Sequence, residues 1–174
     1  MPVRPKSDWW TCRRRRTVRA ARCCRRHWQR CATTSANRPV ADYFDTSALA
    51  KLVMVEHETT GLRAWIAERG DAPSVTCDLT RTELLRAVRR IDTDLLVRAR
   101  EVLDGLTILE VPTALFSAAG RLEPATMRSL DAIHLAAALD LGDELDVLVA
   151  YDERLVAVAR SHGIDVAHPG FTET

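Results

Sequence analysis

With 174 residues and 47% hydrophobic composition, the chain has the length and apolar content for one domain of ordinary size and too little for a second. Its formal charge of +1 joins two unlike parts: residues 1–38 carry twelve Lys or Arg against the single acid Asp8, a charge of +11, and the remainder carries −10. Only Cys77 of the five cysteines lies in that remainder, which excludes an internally disulfide-stapled body and predicts a cytoplasmic protein, and no stretch approaches the roughly 18 apolar residues of a membrane span or the apolar core of a secretory signal.

Residues 1–39 combine four consecutive arginines, Arg13 to Arg16, with Trp9, Trp10, Trp28 and four cysteines, and show no apolar repeat that would bury a helix face. The arm is not expected to fold alone. It reads as an over-extended start, with Val40 the true beginning, or as a disordered arm whose arginines neutralise phosphates while its tryptophans stack on bases. A zinc site from Cys12, Cys23, Cys24, His27 and Cys31 lacks a C-x-x-C pair and is a weaker reading, and the scarcity of serine disfavours an organellar targeting peptide.

From residue 40 to 174, short apolar runs alternate with helix-like segments, the pattern of an α/β domain with a mainly parallel sheet. Strand Val40 to Phe44 leads to a helix from Thr46 to about Met54 and a second from Thr60 to Arg69. Strand Pro73 to Thr76 precedes helices Arg81 to Arg90 and Asp92 to Leu103. Strand Thr107 to Val111 precedes a helix opened by Pro112 and reaching about Leu122, then the alanine-rich helix Leu130 to Leu141. Strand Leu145 to Ala150, helix Glu153 to Ser161 and strand Ile164 to Ala167 complete the plan.

Asp45 and Asp152 each follow a strand, at the carboxyl ends where parallel sheets bind ligands. Singly, every acid of interest also has a structural explanation. Asp45 and Asp152 stand where an aspartate caps the next helix. Thr80 to Glu83 reads as a capping box, and Asp131 sits in a first turn where the macrodipole favours an acid. Jointly, four carboxylates from separate elements suit a hard divalent cation such as Mg²⁺, which takes oxygen ligands and serves phosphodiester cleavage.

Four segments carry a family resemblance: Tyr43-Phe44-Asp45-Thr46-Ser47-Ala48-Leu49, Thr82-Glu83-Leu84, Leu130-Asp131-Ala132-Ile133-His134-Leu135-Ala136 and Ala150-Tyr151-Asp152-Glu153-Arg154-Leu155. In order and spacing they resemble the motifs of PIN-domain proteins, and in particular VapC-type toxins of toxin–antitoxin pairs. The resemblance spans 41–170 and omits the arm. It implies a PIN-like three-layer α/β/α domain and a Mg²⁺- or Mn²⁺-dependent endoribonuclease that cuts RNA with metal-activated water. It also implies inhibition by a small VapB-like antitoxin and a homodimer. By the same resemblance Asp45 and Asp131 are the principal metal ligands, Glu83 and Asp152 complete the catalytic quartet, and Ser47 supports the site. Many relatives have Thr or Ser where this chain has Ala150, which removes a hydrogen-bonding contribution.

Other residues are expected to have lesser roles. His134 is read as a packed structural residue, with general-base work as the alternative; Arg81, Arg86, Arg89 and Arg90 as a solvated helix face, with phosphate contact as the alternative. Cys77 is expected in the core or at a strand end. Val53, Leu62, Trp65 and Ile66 make either core or a seam for a second copy or the antitoxin. Competing functions are a non-catalytic binding protein of the same fold and a phosphatase with Asp45 as nucleophile, whose expected acid two residues on is replaced by Ser47.

Overall fold

Apolar runs too short for helices and bounded by turn residues become strands, and the longer segments between them become the crossovers that parallel strands require. The computed structural model describes residues 40–171. β1 (Ala41–Phe44) is followed by α1 (Thr46–Val53) and α2 (Thr59–Glu68). β2 (Ser74–Cys77) leads through α3 (Leu79–Arg89), a 3-10 turn (Thr93–Leu95) and α4 (Leu96–Asp104) to β3 (Thr107–Leu109). Then come α5 (Thr113–Ala119), α6 (Ser129–Leu139), a second 3-10 turn (Gly142–Glu144), β4 (Leu145–Val149), α7 (Glu153–Ser161) and β5 (Val166–Ala167). The basic arm, with its RNA-binding, zinc and targeting readings, lies outside the described residues.

The five strands form one sheet in the order β3-β2-β1-β4-β5, and every ladder among the described residues is parallel. The chain winds outward from β1 through β2 to β3, then crosses back over the sheet to place β4 on the other side of β1. That reversal puts the two halves of the winding on opposite faces. One core cluster joins Leu49, Leu62, Leu84, Val88 and Val102 of α1–α4 to Phe44 and Val149 of the sheet; the other joins Leu115, Leu135, Ala138 and Leu155 of α5–α7 to Tyr43, Val75 and Leu148. The expected α/β/α layering is therefore observed. In α6 the small side chains Ala132, Ala136, Ala137 and Ala138 are all buried, which lets that helix lie close against its neighbours.

Several boundaries differ from the sequence expectation. α3 starts at Leu79, two residues before Arg81. The segment beginning at Asp92 opens as a 3-10 turn, with the Asp92 carboxylate accepting from the Asp94 N–H, before α4 takes over. β3 stops at Leu109, short of Val111, and α5 stops at Ala119 before Gly120, short of Leu122. β5 begins at Val166 rather than Ile164, because its pairing with β4 involves only Leu148 with Val166 and Val149 with Ala167. Val53, Leu62 and Ile66 are buried, and Trp65 packs edge-on against Phe44 with Arg69 over its ring, so this apolar set is core. Where α2 meets the C-terminal residues, a Cβ on Gly61 would stand 2.6 Å from the Gly170 Cα, so the crossing requires glycine.

A charge sits inside the central strand. Asp42 in β1 is 1% exposed, and Arg69 donates to both of its oxygens, from Nε at 3.1 Å and Nη2 at 2.7 Å, while also pairing with Asp146 on β4. This bidentate contact ties the end of α2 across β1 and β4. Arg69→Ala leaves a buried carboxylate without its counter-charge, and the expected loss is about 3 kcal/mol of unfolding free energy. Urea denaturation of the variant beside wild type reads it directly; an unchanged midpoint would show that Asp42 is compensated by something other than Arg69.

Candidate active site

Because β1 and β4 are neighbours at the point where the strand order reverses, their carboxyl ends open a crevice between the two windings. Register places Phe44 beside Val149, and the Asp45 N–H continues the ladder by donating to the Val149 carbonyl at 3.0 Å. Asp45 and Asp152 thus leave adjacent strands at the same end of the sheet. Asp131, in the first turn of α6, feels the charges of both.

Both strand-end aspartates are helix caps. Asp45 Oδ2 accepts from the Ser47 N–H at 2.9 Å at the start of α1, and Asp152 Oδ1 accepts from the Arg154 and Leu155 N–H groups at 2.9 and 3.1 Å at the start of α7. Each cap engages one carboxylate oxygen. Asp45 Oδ1 instead lies 3.6 Å from His134 Nε2, and Asp152 Oδ2 lies 3.9 Å from Arg128 Nη1. Capping and ligand binding are therefore compatible roles for one side chain, since they use different oxygens. Ser47 joins the two loops, its hydroxyl accepting from the Tyr151 N–H at 2.9 Å. Ala150 is fully buried, and its N–H donates to the Ala167 carbonyl, so β4 needs no side-chain hydroxyl there to be held in the sheet.

Glu83 does not close a capping box. α3 already begins at Leu79, the Thr80 side chain is buried and bonds the Thr76 hydroxyl at 2.7 Å, and Glu83 turns toward α1 and α6. Its Oε2 accepts from the Thr46 hydroxyl at 2.5 Å and from His134 Nε2 at 2.7 Å. The other ring nitrogen of His134 is hydrogen-bonded to the Tyr43 hydroxyl at 2.9 Å, with Cys77 Sγ at 3.7 Å. The sequence reading underrated His134: it is structural, as expected, but its structural task is to hold an acid of the cleft. With 2% exposure and both nitrogens engaged, it is no free base. The missing signal was tertiary, because Tyr43, Thr46 and Glu83 meet His134 only once β1, α1, α3 and α6 pack together.

Electrostatics distinguish the acids. Burial disfavours the His134 imidazolium, yet the Asp45 charge and the bonds to Cys77 and Glu83 outweigh it and lift its pKa well above the ordinary imidazole value. Burial likewise works against ionised Glu83, but His134 and Thr46 more than offset it and hold the carboxyl below its usual range. Asp131 goes the other way: burial together with the Asp152 and Asp45 charges raises its pKa, against weaker relief from Arg128 and His134. This half-buried carboxylate is repelled by its neighbours, a condition that a divalent cation relieves. Among the described residues no three His, Cys, Asp or Glu side chains form a ready-made cage. The donor set, all oxygen apart from an occupied imidazole, fits a hard ion such as Mg²⁺, which keeps several waters and takes one or two carboxylates. The remaining basic candidates, Arg81, Arg86, Arg89 and Arg90, are exposed, with Arg86 and Arg89 in the last turn of α3 where the helix dipole favours them. Cys77 is a buried free thiol at the end of β2.

The stability supplied by the His134 contacts is complete below the ordinary imidazole value of about 6.5 and is lost as pH rises through the higher folded value. In EDTA, wild type is therefore expected to unfold at a higher urea concentration at pH 6 than at pH 9, and His134→Gln is expected to flatten the difference. An equal pH 6 to pH 9 difference in the variant would remove His134 as its source.

A family model described as PIN domain matches residues 43–165. Ribonuclease VapC47 of Mycobacterium tuberculosis is 47% identical over 131 residues, covering 74% of this chain and 96% of the relative. Ribonuclease VapC35 and Ribonuclease VapC46 of the same species are 38% and 37% identical, each over 74% of this chain and covering 96% and 98% of the relatives. Among solved structures, M. tuberculosis VapC20, titled a sarcin–ricin loop cleaving toxin, aligns with a TM-score of 0.57 over 67% of this chain and 94% of its own at 18% identity, a likeness of fold.

Proposed function

The chain belongs to the PIN-domain family and, within it, to the VapC ribonucleases, and from that premise we propose that it is a metal-dependent endoribonuclease acting as the toxin of a toxin–antitoxin pair. The observation that carries the metal-dependent reading is the repelled carboxylate: Asp131 is pushed up by burial and by Asp45 and Asp152 at the sheet's switch point. Asp45 and Asp131 would hold Mg²⁺ or Mn²⁺ directly, with Asp152 and Glu83 completing the acidic set and Ser47 keeping the β1 and β4 loops together. When bound, the ion lowers the pKa of an attacking water and neutralises charge on the departing oxygen. The protein's own part is to present fixed oxygens. α1 and α7 orient Asp45 and Asp152 through their caps, and Thr46 and His134 fix Glu83.

The partners follow the same reading: an RNA substrate, with single-stranded loops favoured because their bases are open to contact, and a cognate VapB-like antitoxin. A homodimer is also proposed; Phe116, 52% exposed beside a groove of about 450 Å³ that mixes apolar Leu122, Met127 and Ile133 with Arg121 and Glu123, offers a surface for it. The buried free thiol of Cys77 suits a reducing cytoplasm, and among the described residues no helix is long and apolar enough to cross a membrane.

The test uses Asp45→Asn and Asp152→Asn. Asparagine caps a helix about as well as aspartate, so melting temperatures should move by no more than a few degrees. The amide, however, places a donor where the second carboxylate oxygen was and removes the charge. Asp45→Asn is expected to lose at least about a hundredfold in RNA cleavage at matched Mg²⁺, Asp152→Asn less, and Asp45→Asn should also shrink the rise in melting temperature that Mg²⁺ gives wild type. Wild-type cleavage by folded Asp45→Asn would refute the assignment, and cleavage that persists in EDTA would refute its metal dependence.

The family match begins at residue 43, and every site residue lies at or after Tyr43. We therefore propose that residues 1–39 are dispensable for the chemistry. The truncated protein is expected to fold and to cleave with the wild-type kcat; an insoluble or inactive product would place part of the domain in the arm.

A further inference from the structure

RNA meets a difficulty at this cleft. The body carries −10 outside residues 1–38, and the carboxylates that would hold the metal face the same mouth through which a polyanion must enter. Some cation at the rim has to receive the phosphate. Of the arginines singled out from sequence, none pairs with the acids among the described residues; Arg81, Arg86 and Arg89 are exposed on α3 and Arg90 at its C-cap.

We propose that Arg128 grips the RNA phosphate at the cleavage site. It occupies the N-cap position of α6, three residues before Asp131, with its side chain 60% exposed and Nη1 3.9 Å from Asp152 Oδ2. It therefore stands at the start of α6, beside the aspartate that caps α7. A structural explanation for this contact is weak. The pair is solvent-exposed, made through one nitrogen and at the long limit of an ion pair, a geometry worth close to nothing in stability. Nor does the side chain cap its own helix, since Arg128 makes no side-chain capping bond there. What remains is a guanidinium with most of its donors unengaged among the described residues, loosely tethered beside the carboxylates and shaped for two-pronged contact with phosphate oxygens. Its charge already reaches Asp131, which places it within electrostatic range of anything the acids hold.

The inference rests on the ribonuclease reading for its kinetic arm and is independent of it for its binding arm. Full-length wild type, Arg128→Ala, Arg128→Lys and, as a control, Arg160→Ala are compared; Arg160 is exposed in the last turn of α7, at the opposite end from the acids. Binding is read in EDTA with a fluorescein-labelled single-stranded oligoribonucleotide of mixed sequence, across a salt series. Arg128→Ala should weaken binding about tenfold and reduce the slope of log K against log salt by roughly 0.7, the share of one phosphate on a single strand. Any contribution of residues 1–39 is common to all four proteins and cancels in the comparison. In cleavage with Mg²⁺, Arg128→Ala should raise KM about tenfold with at most a severalfold change in kcat, Arg128→Lys should recover part of the loss, and Arg160→Ala should match wild type.

A purely charge-relieving role for Arg128 has a different signature: the Mg²⁺-induced rise in melting temperature would grow in Arg128→Ala while RNA affinity and salt slope stayed at wild type. That result would overturn the proposal. So would equal losses in Arg128→Ala and Arg160→Ala, which would make the effect one of net charge. If wild type failed to cleave any RNA, the ribonuclease reading would fall, and the salt slope would still decide whether Arg128 binds phosphate.

Discussion

Everything at the cleft depends on holding several like charges together in partly dry protein without letting their repulsion open the fold. Charge burial is costly unless each group has a partner, and the chain meets that requirement differently for each acid. Asp45 and Asp152 take backbone N–H groups at helix starts, where the macrodipole also favours a negative charge. Glu83 takes a hydroxyl and an imidazolium. At Asp131 burial and the neighbouring charges win, so its carboxyl is held above the usual range. That repelled carboxylate is where an external cation has most to gain.

The support extends below the acids. Thr76, Thr80 and Thr46 form a run of hydroxyls from the end of β2 through α3 to α1, ending on Glu83. From the other side Tyr43 and Cys77 meet His134. These residues are buried or nearly so, and each bond spans two elements, so the network doubles as the joint between the sheet, α1, α3 and α6. Buried polar networks of this kind are favourable only when every member is satisfied.

Much of this architecture was legible in the sequence, because period and punctuation are local properties. Strand-sized apolar runs alternating with helix-like segments indicated an α/β domain with a mainly parallel sheet, the acids after β1 and β4 marked the end of the sheet that matters, and the three-layer arrangement came from the family resemblance. Boundaries failed where pairing or packing decided them: β5 is cut to two residues by its single neighbour, and α3 starts two residues early, at Leu79. The same limit applied to function. Asp45 and Asp152 stood out by position along the chain, whereas the partnership of Glu83 with His134 joins residues 51 apart. Thr80 and Glu83 have the spacing of a capping box, and only the packing of α3 against α1 and α6 turns both side chains to other partners.

The choice between cap and ligand, which the sequence poses for each strand-end aspartate, dissolves at atomic level. A carboxylate has two oxygens and about four lone-pair directions, and a cap consumes one oxygen. In Asp45 it is Oδ2, in Asp152 it is Oδ1, and the remaining oxygen of each is held away from its helix by the same bonds that fix the first. The helix therefore acts as a clamp: orienting the side chain costs little at binding because it has already been met in folding. A strand that ends in aspartate and turns directly into a helix produces this clamp from purely local geometry. Two such turns on adjacent parallel strands, with register bringing Phe44 beside Val149, are sufficient to set two oriented carboxylates side by side before any ion arrives.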